Sequence, residues 1–248
     1  MINIIINDVA DHLPESSKPL PTHGNAWLNL LACLGYPVDD LPLGDFLARY
    51  HQLDGRWLAM TPVQWEASHN NANITAIGSE LGMSEEQSHS LFADVSAFLI
   101  ERQIKLHYHD AQIWLMNIDD KLAIHSQNVW AMRHQPMMNA LKNMDMYWSS
   151  LMTELQMFLS AHPAPLNGVW FYGSARFDAA RLSHKRILTD DWQLIANFSA
   201  QPFAEPIKKP SLIFLNDKSR LSACKHKANW FWNNAAYATR APAWWKLF

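Results

Sequence analysis

The chain has 248 residues with a formal net charge of −3, and 49% of its residues are hydrophobic, which excludes an intrinsically disordered chain. Two cysteines exclude a disulfide framework, and eight scattered glycines exclude the glycine-rich loops that bind dinucleotides or nucleotide phosphates. The amino terminus lacks a basic leader and no apolar run reaches the roughly 20 residues that span a bilayer, so we expect a cytoplasmic protein without a membrane partner.

The first quarter of the chain alternates between strand and helix patterns. Ile2–Ile6 is an isoleucine-rich run, interrupted only by Asn3, that ends at a polar pair, which predicts a buried strand. Residues 22–34 and Leu43–Tyr50 have helical patterns. Residues 56–66 alternate between apolar and polar side chains, which predicts a strand, and Pro62 within it favours an edge strand or a bulge.

The remainder of the chain continues this mixture. Ser84, with a glutamine three residues later, predicts the start of a helix. Residues 106–116 are typical of a hairpin, and apolar residues at steps of three and four predict one long helix over 139–160. Residues 169–172 and Leu212–Leu215 are two further unbroken apolar runs.

These elements predict an α/β protein with a mixed, mainly buried sheet. Unbroken apolar strands are usually covered by helices on both faces, whereas the alternating strands and the hairpin indicate an antiparallel portion. We expect residues 1–248 to form a single domain. We also expect the three apolar strands to be neighbours whose ends meet at one edge.

A candidate ligand site follows from that arrangement, because open α/β sheets bind ligands beyond the carboxyl ends of parallel strands. Asp8, Asp217, Ser174 and Arg176 all follow the predicted apolar strands. Arg176 offers a planar fork that matches phosphate or carboxylate, and Gly173 would let the backbone approach a ligand closely. The alternative is that these residues only form turns, where such residue types are common.

Two other polar groups could carry chemistry. His107 and His109 alternate on a predicted strand, so both imidazoles could bind one metal with Asp110 or a distant carboxylate. The alternative is an exposed polar face beside the hairpin turn. His69 lies in a run of hydrogen-bonding residues, 68–73, that could line a pocket or form a turn whose asparagines bond to their own backbone.

Charge is unevenly distributed along the chain. Residues 176–248 hold 12 Lys and Arg against 5 Asp and Glu, a net of +7, whereas residues 1–175 hold 8 against 18, a net of −10. A basic face of this kind suits a phosphorylated ligand, a nucleic acid, or the acidic remainder of the same chain. A further alternative is a module that uses this basic, tryptophan-rich part to bind a nucleic acid or a protein. With a nucleic acid, lysines and arginines would bind phosphates while tryptophans stack on bases, the candidates being Lys225, Lys227, Arg240, Lys246, Trp230, Trp232, Trp244 and Trp245.

Three blocks of sequence carry a resemblance to a known family. Residues 148–173 read WSSLMTELQMFLSAHPAPLNGVWFYG, residues 61–74 read TPVQWEASHNNANI, and residues 242–245 read PAWW. These blocks resemble the bacterial RpfE-type regulatory proteins, which are often described as related to cofactor-independent phosphoglycerate mutase. The resemblance places Asn167 before the aromatic strand that leads to the glycine-containing turn, and adds it to the candidate ligand contacts.

The resemblance implies a phosphoglycerate-mutase-like protein that binds a phosphorylated or carboxylated metabolite in a regulatory role. The related mutases hold two divalent metals through Asp and His residues, and this chain lacks the later histidine-bearing segments. We therefore expect no complete two-metal site and no cofactor, with Arg176, Ser174, Gly173, His69 and Asn167 as ligand contacts. The alternative is an active phosphomutase or phosphatase, with a metal on Asp8, Asp217, His107 and His109, and with Asp8 and Ser174 as catalytic residues.

Overall fold

The computed structural model describes residues 2–15, 17–68, 71–118, 124–133, 135–182, 185–204, 211–221 and 227–239. Contacts divide the chain into two compact units. Unit 1 comprises Met1–Val38 and Asp178–Phe248, and unit 2 comprises Asp39–Phe177. Unit 2 is thus a continuous stretch inserted between the two segments of unit 1. That the whole chain acts as one domain stays a prediction.

The described residues form twelve strands and seven helices. The strands are β1 Ile2–Ile6, β2 Lys18–Pro19, β3 Arg56–Ser68, β4 Asn71–Ile77, β5 Leu106–Tyr108, β6 Trp114–Ile118, β7 Gly168–Tyr172, β8 Ile187–Thr189, β9 Gln201–Pro202, β10 Leu212–Leu215, β11 Ala228–Phe231 and β12 Ala236–Thr239. The helices are α1 Ala26–Cys33, α2 Leu43–Tyr50, α3 Glu85–Ile100, α4 Val129–Met132, α5 Met137–Lys142, α6 Met146–Ser160 and α7 Trp192–Phe198. None of these helices is long and apolar enough to cross a membrane.

Unit 1 is built on a mixed seven-stranded sheet in the order β2-β12-β11-β1-β10-β8-β9. Strands β11, β1, β10, β8 and β9 are parallel, and β12 and β2 add antiparallel pairs at one edge. The central strand β1 is buried on both faces, because Ile4 packs with Ile213 in one apolar cluster while Ile5, which points to the other face, is also fully buried. On α1, Trp27 contacts the ring of Phe214, with 4.8 Å between ring centroids.

Unit 2 is built on an antiparallel five-stranded sheet in which β3 pairs with β4, β6 and β7, and β6 pairs with β5. The 13-residue strand β3 is central and carries a register shift between Gln64 and Trp65, two residues after Pro62. The predicted hairpin is confirmed by the pairing of β5 with β6. The fold is therefore mixed α/β, as the sequence predicts.

Two predictions about the elements are wrong. Strand β7 pairs with β3 in unit 2, so it is not a neighbour of β1 and β10. An unbroken apolar run indicates that a strand is buried on both faces, but it does not specify which strand it pairs with. The helix expected over 139–160 is two helices, because Asp145 caps a new helix by accepting a hydrogen bond from the N–H of Tyr147.

Candidate functional site

The carboxyl ends of four parallel strands of unit 1 meet at one edge of its sheet. Each of these strands is followed by acidic or amide residues: Asn7 and Asp8 after β1, Asp190 and Asp191 after β8, Asn216 and Asp217 after β10, and Asn233 and Asn234 after β11. The sheet therefore gathers polar side chains from distant parts of the sequence into one row.

Four of these side chains form a continuous hydrogen-bonded chain across the strand ends. Asn216 donates from Nδ2 to Asp191 Oδ2 at 3.0 Å, and Asn7 donates to Asn216 Oδ1 at 3.0 Å. Asn233 donates to Asn7 Oδ1 at 3.4 Å and accepts at Oδ1 from the N–H of Ala26, the first residue of α1, at 2.7 Å. This chain fixes the four strand ends and the start of α1 relative to one another.

Beside this chain lies the strand-end cluster, which we define as Asp8, Asp11, Asp190, Asp191, Asp217, Lys218 and Arg220. Lys218 Nζ lies 3.3 Å from a carboxylate oxygen of Asp8 and 3.3 Å from one of Asp11. Arg220 Nε lies 3.7 Å from Asp190 Oδ2 and 4.0 Å from Asp217 Oδ2. The cluster contains five carboxylates and two cations, so its formal charge is negative.

The environments of these charged groups differ. Asp190 is almost fully buried and accepts from the N–H groups of Asn216 and Asp217. Asp217 is exposed, and the hydroxyl and N–H of Ser219 lower the pKa of its carboxyl. Asp11 and Asp8 raise the pKa of Lys218, so its charge is retained at neutral pH. Asp8 and Asp217 are therefore accessible carboxylates at neighbouring strand ends.

Ser174, by contrast, belongs to unit 2 and lies beyond the antiparallel strand β7. Its buried hydroxyl donates to the carbonyl of Ile124 at 2.6 Å and accepts from the N–H of the same residue at 3.3 Å. The predicted convergence of Ser174 with Asp8 and Asp217 at one sheet edge is thus wrong, since it required a shared sheet. The argument for Ser174 as a nucleophile depended on that convergence.

Gly173 and Arg176 have local partners in helix α2 of the same unit. Gly173 adopts a left-handed φ of +72°, its carbonyl accepts from the N–H of Gly44 at 2.9 Å, and a Cβ there would lie 3.0 Å from Leu43 Cβ. Arg176 is exposed and acts electrostatically on Asp45. Burial raises the pKa of the Asp45 carboxyl, and bonds from backbone N–H groups together with Arg56 and Arg176 oppose that rise.

Asn167 is engaged by the backbone of β3. Its side-chain Oδ1 accepts from the N–H of Trp65 at 3.0 Å, and its Nδ2 donates to the carbonyl of Trp65 at 2.9 Å. These two bonds fall where the β3–β4 register shifts between Gln64 and Trp65. Asn167 thus pairs with the irregular part of the strand. His69 lies outside the described residues.

His107 and His109 come together with a third histidine that the sequence pattern does not reveal. His51, at the end of α2, places Nε2 2.8 Å from Nδ1 of His109, and its ring centroid lies 4.4 Å from that of His107. Burial lowers the pKa of His107. Only the pairing of β5 with β6 and the packing of α2 on that sheet bring residue 51 beside residues 107 and 109.

The metal set of the enzyme alternative is divided between the units, with Asp8 and Asp217 in unit 1 and His107 and His109 in unit 2. Within the described part of the chain, no group of three or more His, Cys, Asp or Glu residues is arranged to hold a metal ion.

Comparison with protein-family models, with curated proteins and with solved structures finds no match to this chain. The relationship to RpfE-type proteins therefore stays a prediction, and the functional argument depends on the geometry of the strand-end cluster.

Proposed function

We propose that the protein binds a small phosphorylated or carboxylated metabolite, together with a divalent cation, at the strand-end cluster of unit 1. The observation that carries the proposal is the meeting of Asp8, Asp217 and Lys218 at the carboxyl edge of parallel strands. That edge is where open α/β sheets bind ligands. A regulatory role is what the resemblance to RpfE-type proteins implies.

The charge of the cluster sets the chemistry of the ligand. An anion alone would meet an excess of carboxylates, whereas a divalent cation would be attracted and would in turn attract phosphate. Carboxylate oxygens suit Mg²⁺, which keeps several waters and is usually bound through one or two carboxylates plus the phosphates of a ligand. Such a site needs no set of three protein ligands formed in advance.

Lys218 would contact the negatively charged phosphate or carboxylate group of the ligand. Its ammonium is about half exposed and forms its ion pairs with the accessible carboxylates of Asp8 and Asp11. Ion pairs between exposed side chains contribute little net stability, so exchanging them costs little. A cation that binds to Asp8 would release Lys218 to contact the phosphate or carboxylate of the ligand.

Isothermal titration calorimetry with 3-phosphoglycerate, with and without Mg²⁺, tests the proposal. We expect binding that requires Mg²⁺, and we expect Asp8→Asn to weaken it by about tenfold or more, since one ligand to the cation is lost. Glu15→Gln is the matched control, because it removes an exposed carboxylate from the same unit outside the cluster.

Three results would contradict the proposal. They are absence of binding in both conditions, equal binding with and without Mg²⁺, and equal weakening by Asp8→Asn and Glu15→Gln. Conversion of 3-phosphoglycerate to its 2-phospho isomer, if lost in Asp8→Asn, would replace the regulatory binder with the enzyme alternative. Thermal melts of each variant serve as the folding control.

A further inference from the structure

The three histidines of unit 2 form a compact histidine cluster, defined as His51, His107 and His109. His51 follows the last turn of α2, where its N–H donates to the carbonyl of Leu47 at 3.0 Å. Its ring centroid lies 5.1 Å from that of His109. His109 is nearly buried, with 7% of its side chain exposed. The cluster thus joins the end of a helix to the end of strand β5 through imidazole contacts.

The contact between His51 Nε2 and His109 Nδ1 needs one N–H and one lone pair. Nε2 of His109 lies 3.6 Å from Oδ2 of Asp110, which favours a proton on that nitrogen and leaves Nδ1 as the acceptor. His51 is then the donor. Its place at the carboxyl end of α2 favours a positive charge, because the last carbonyls of a helix carry partial negative charge.

A first proton on His51 is therefore compatible with the contact, and a second on His109 is not. Protonation of His109 Nδ1 removes the only lone pair in the contact and places two imidazolium rings against each other. We propose that the histidine cluster is an acid-sensitive latch, which holds the end of α2 against strand β5 and releases it when the cluster takes up a second proton.

The charged and titratable groups around the cluster determine the pH range in which the latch opens. From α2, Tyr50 faces both His51 and His109, and Arg49 lies in the last turn. From the hairpin, His107 contacts His51 and Asp110 faces His109, while β6 places the apolar Leu115 opposite His107. From α3, Glu85 acts electrostatically on Asp110.

These neighbours determine whether a fall in pH strengthens or weakens the latch. The second proton is disfavoured in the folded state, so the folded pKa for its uptake lies below the value of about 6.5 for an unperturbed histidine. The latch is closed above that value and weakens as the pH falls below it. Desolvation raises the pKa of Asp110, so acid also removes the counter-charge for His109.

The direct test is an NMR titration of the histidine rings in the full chain from pH 8 to pH 5. We expect His51 and His109 to titrate in two coupled steps, the second below pH 6. Hydrogen exchange at Leu106–Tyr108, corrected for its intrinsic pH dependence, should accelerate by about tenfold or more across the second step, because local opening exposes these amides.

His51→Gln provides the matched variant, because its amide can donate to His109 but cannot carry a charge. We expect it to preserve the fold and to remove most of the acid-induced acceleration. His12→Gln changes an exposed histidine of unit 1 and should leave the acceleration intact. Independent titration of all three rings near 6.5 would overturn the latch, as would unchanged acceleration in His51→Gln. The ring titration of the unmodified chain decides the question if the variant fails to fold.

Discussion

Replacing Gly44 with alanine should destabilise unit 2 severely, although alanine is the better helix former. Gly44 is the second residue of α2 and lies against the backbone of β3. A Cβ at this position would fall 2.1 Å from the carbonyl oxygen of Trp57 and 2.4 Å from Cα of Leu58. Because both atoms belong to the backbone of a central strand, no side-chain rotation relieves the clash.

The magnitude follows from the displacement that the clash requires. Ordinary contact begins near 3.4 Å, so α2 must withdraw from β3 by more than 1 Å. Phe46 and Leu47 of the same helix are fully buried and would lose contact with the sheet. Overpacking of this kind costs up to about 3 kcal/mol and occasionally more. The gain in helix propensity of about 1 kcal/mol offsets only part of it.

Urea denaturation followed by circular dichroism and tryptophan fluorescence measures the effect. We expect Gly44→Ala to lower the free energy of unfolding by a net of about 2 kcal/mol or more, or to prevent folding of unit 2. Gly82→Ala is the control, since Gly82 has a φ of +64° and no atom within 4 Å of an added Cβ. It should cost only the 1–2 kcal/mol or so of a left-handed backbone. Equal stability of the two variants would refute the reasoning.

Three other outcomes can be measured on the same protein. Ser174→Ala should lower the melting temperature, because two buried bonds to Ile124 are lost at a cost of about 1–3 kcal/mol; an unchanged melt would contradict this. Asn167→Asp should destabilise more at pH 7 than at pH 4, since only the protonated carboxyl can donate to the Trp65 carbonyl; a pH-independent loss would count against that bond. Burial raises the pKa of the Cys33 thiol to about 11, although the charge of Lys185 opposes this rise. Alkylation of Cys33 at pH 8 should therefore be about 100-fold slower in the folded protein than in urea, because less thiolate is present. Equal rates would disprove the burial of Cys33.

The sequence predicts local elements of this fold well because local patterns record burial and capping. Ile2–Ile6 and Leu212–Leu215 are buried parallel neighbours, as expected from their mainly apolar character. The capping box at Ser84 is present, with Gln87 three residues later. Strand β7 has the same apolar character, yet it lies in an antiparallel sheet of the other unit. Pairing partners depend on contacts between distant residues, which the pattern of one segment does not contain.

The candidate site is predictable only in part, for the same reason. Asp8 and Asp217 follow long apolar strands and could be identified from sequence. Asp190 and Asp191 follow β8, whose three residues are too short a run to recognise as a strand. No sequence pattern marks His51 as part of a site, because it comes close to His107 and His109 only when α2 packs on the sheet of unit 2. Sites assembled across elements are therefore the least visible in sequence.

The predicted site residues differ chiefly in the partners with which their side chains already form hydrogen bonds or ion pairs. Ser174 and Asn167 bond to backbone atoms, and withdrawing a buried polar group from such a partner costs about 1–3 kcal/mol. Asp8 accepts from the exposed N–H of Val9 at 2.7 Å and forms an exposed ion pair with Lys218, which a ligand can replace at little cost. A polar residue at a strand end is thus a plausible ligand contact when its present partner can be exchanged, and a turn residue when the partner is a buried backbone group. This criterion supports the proposed ligand site at the strand-end cluster of unit 1.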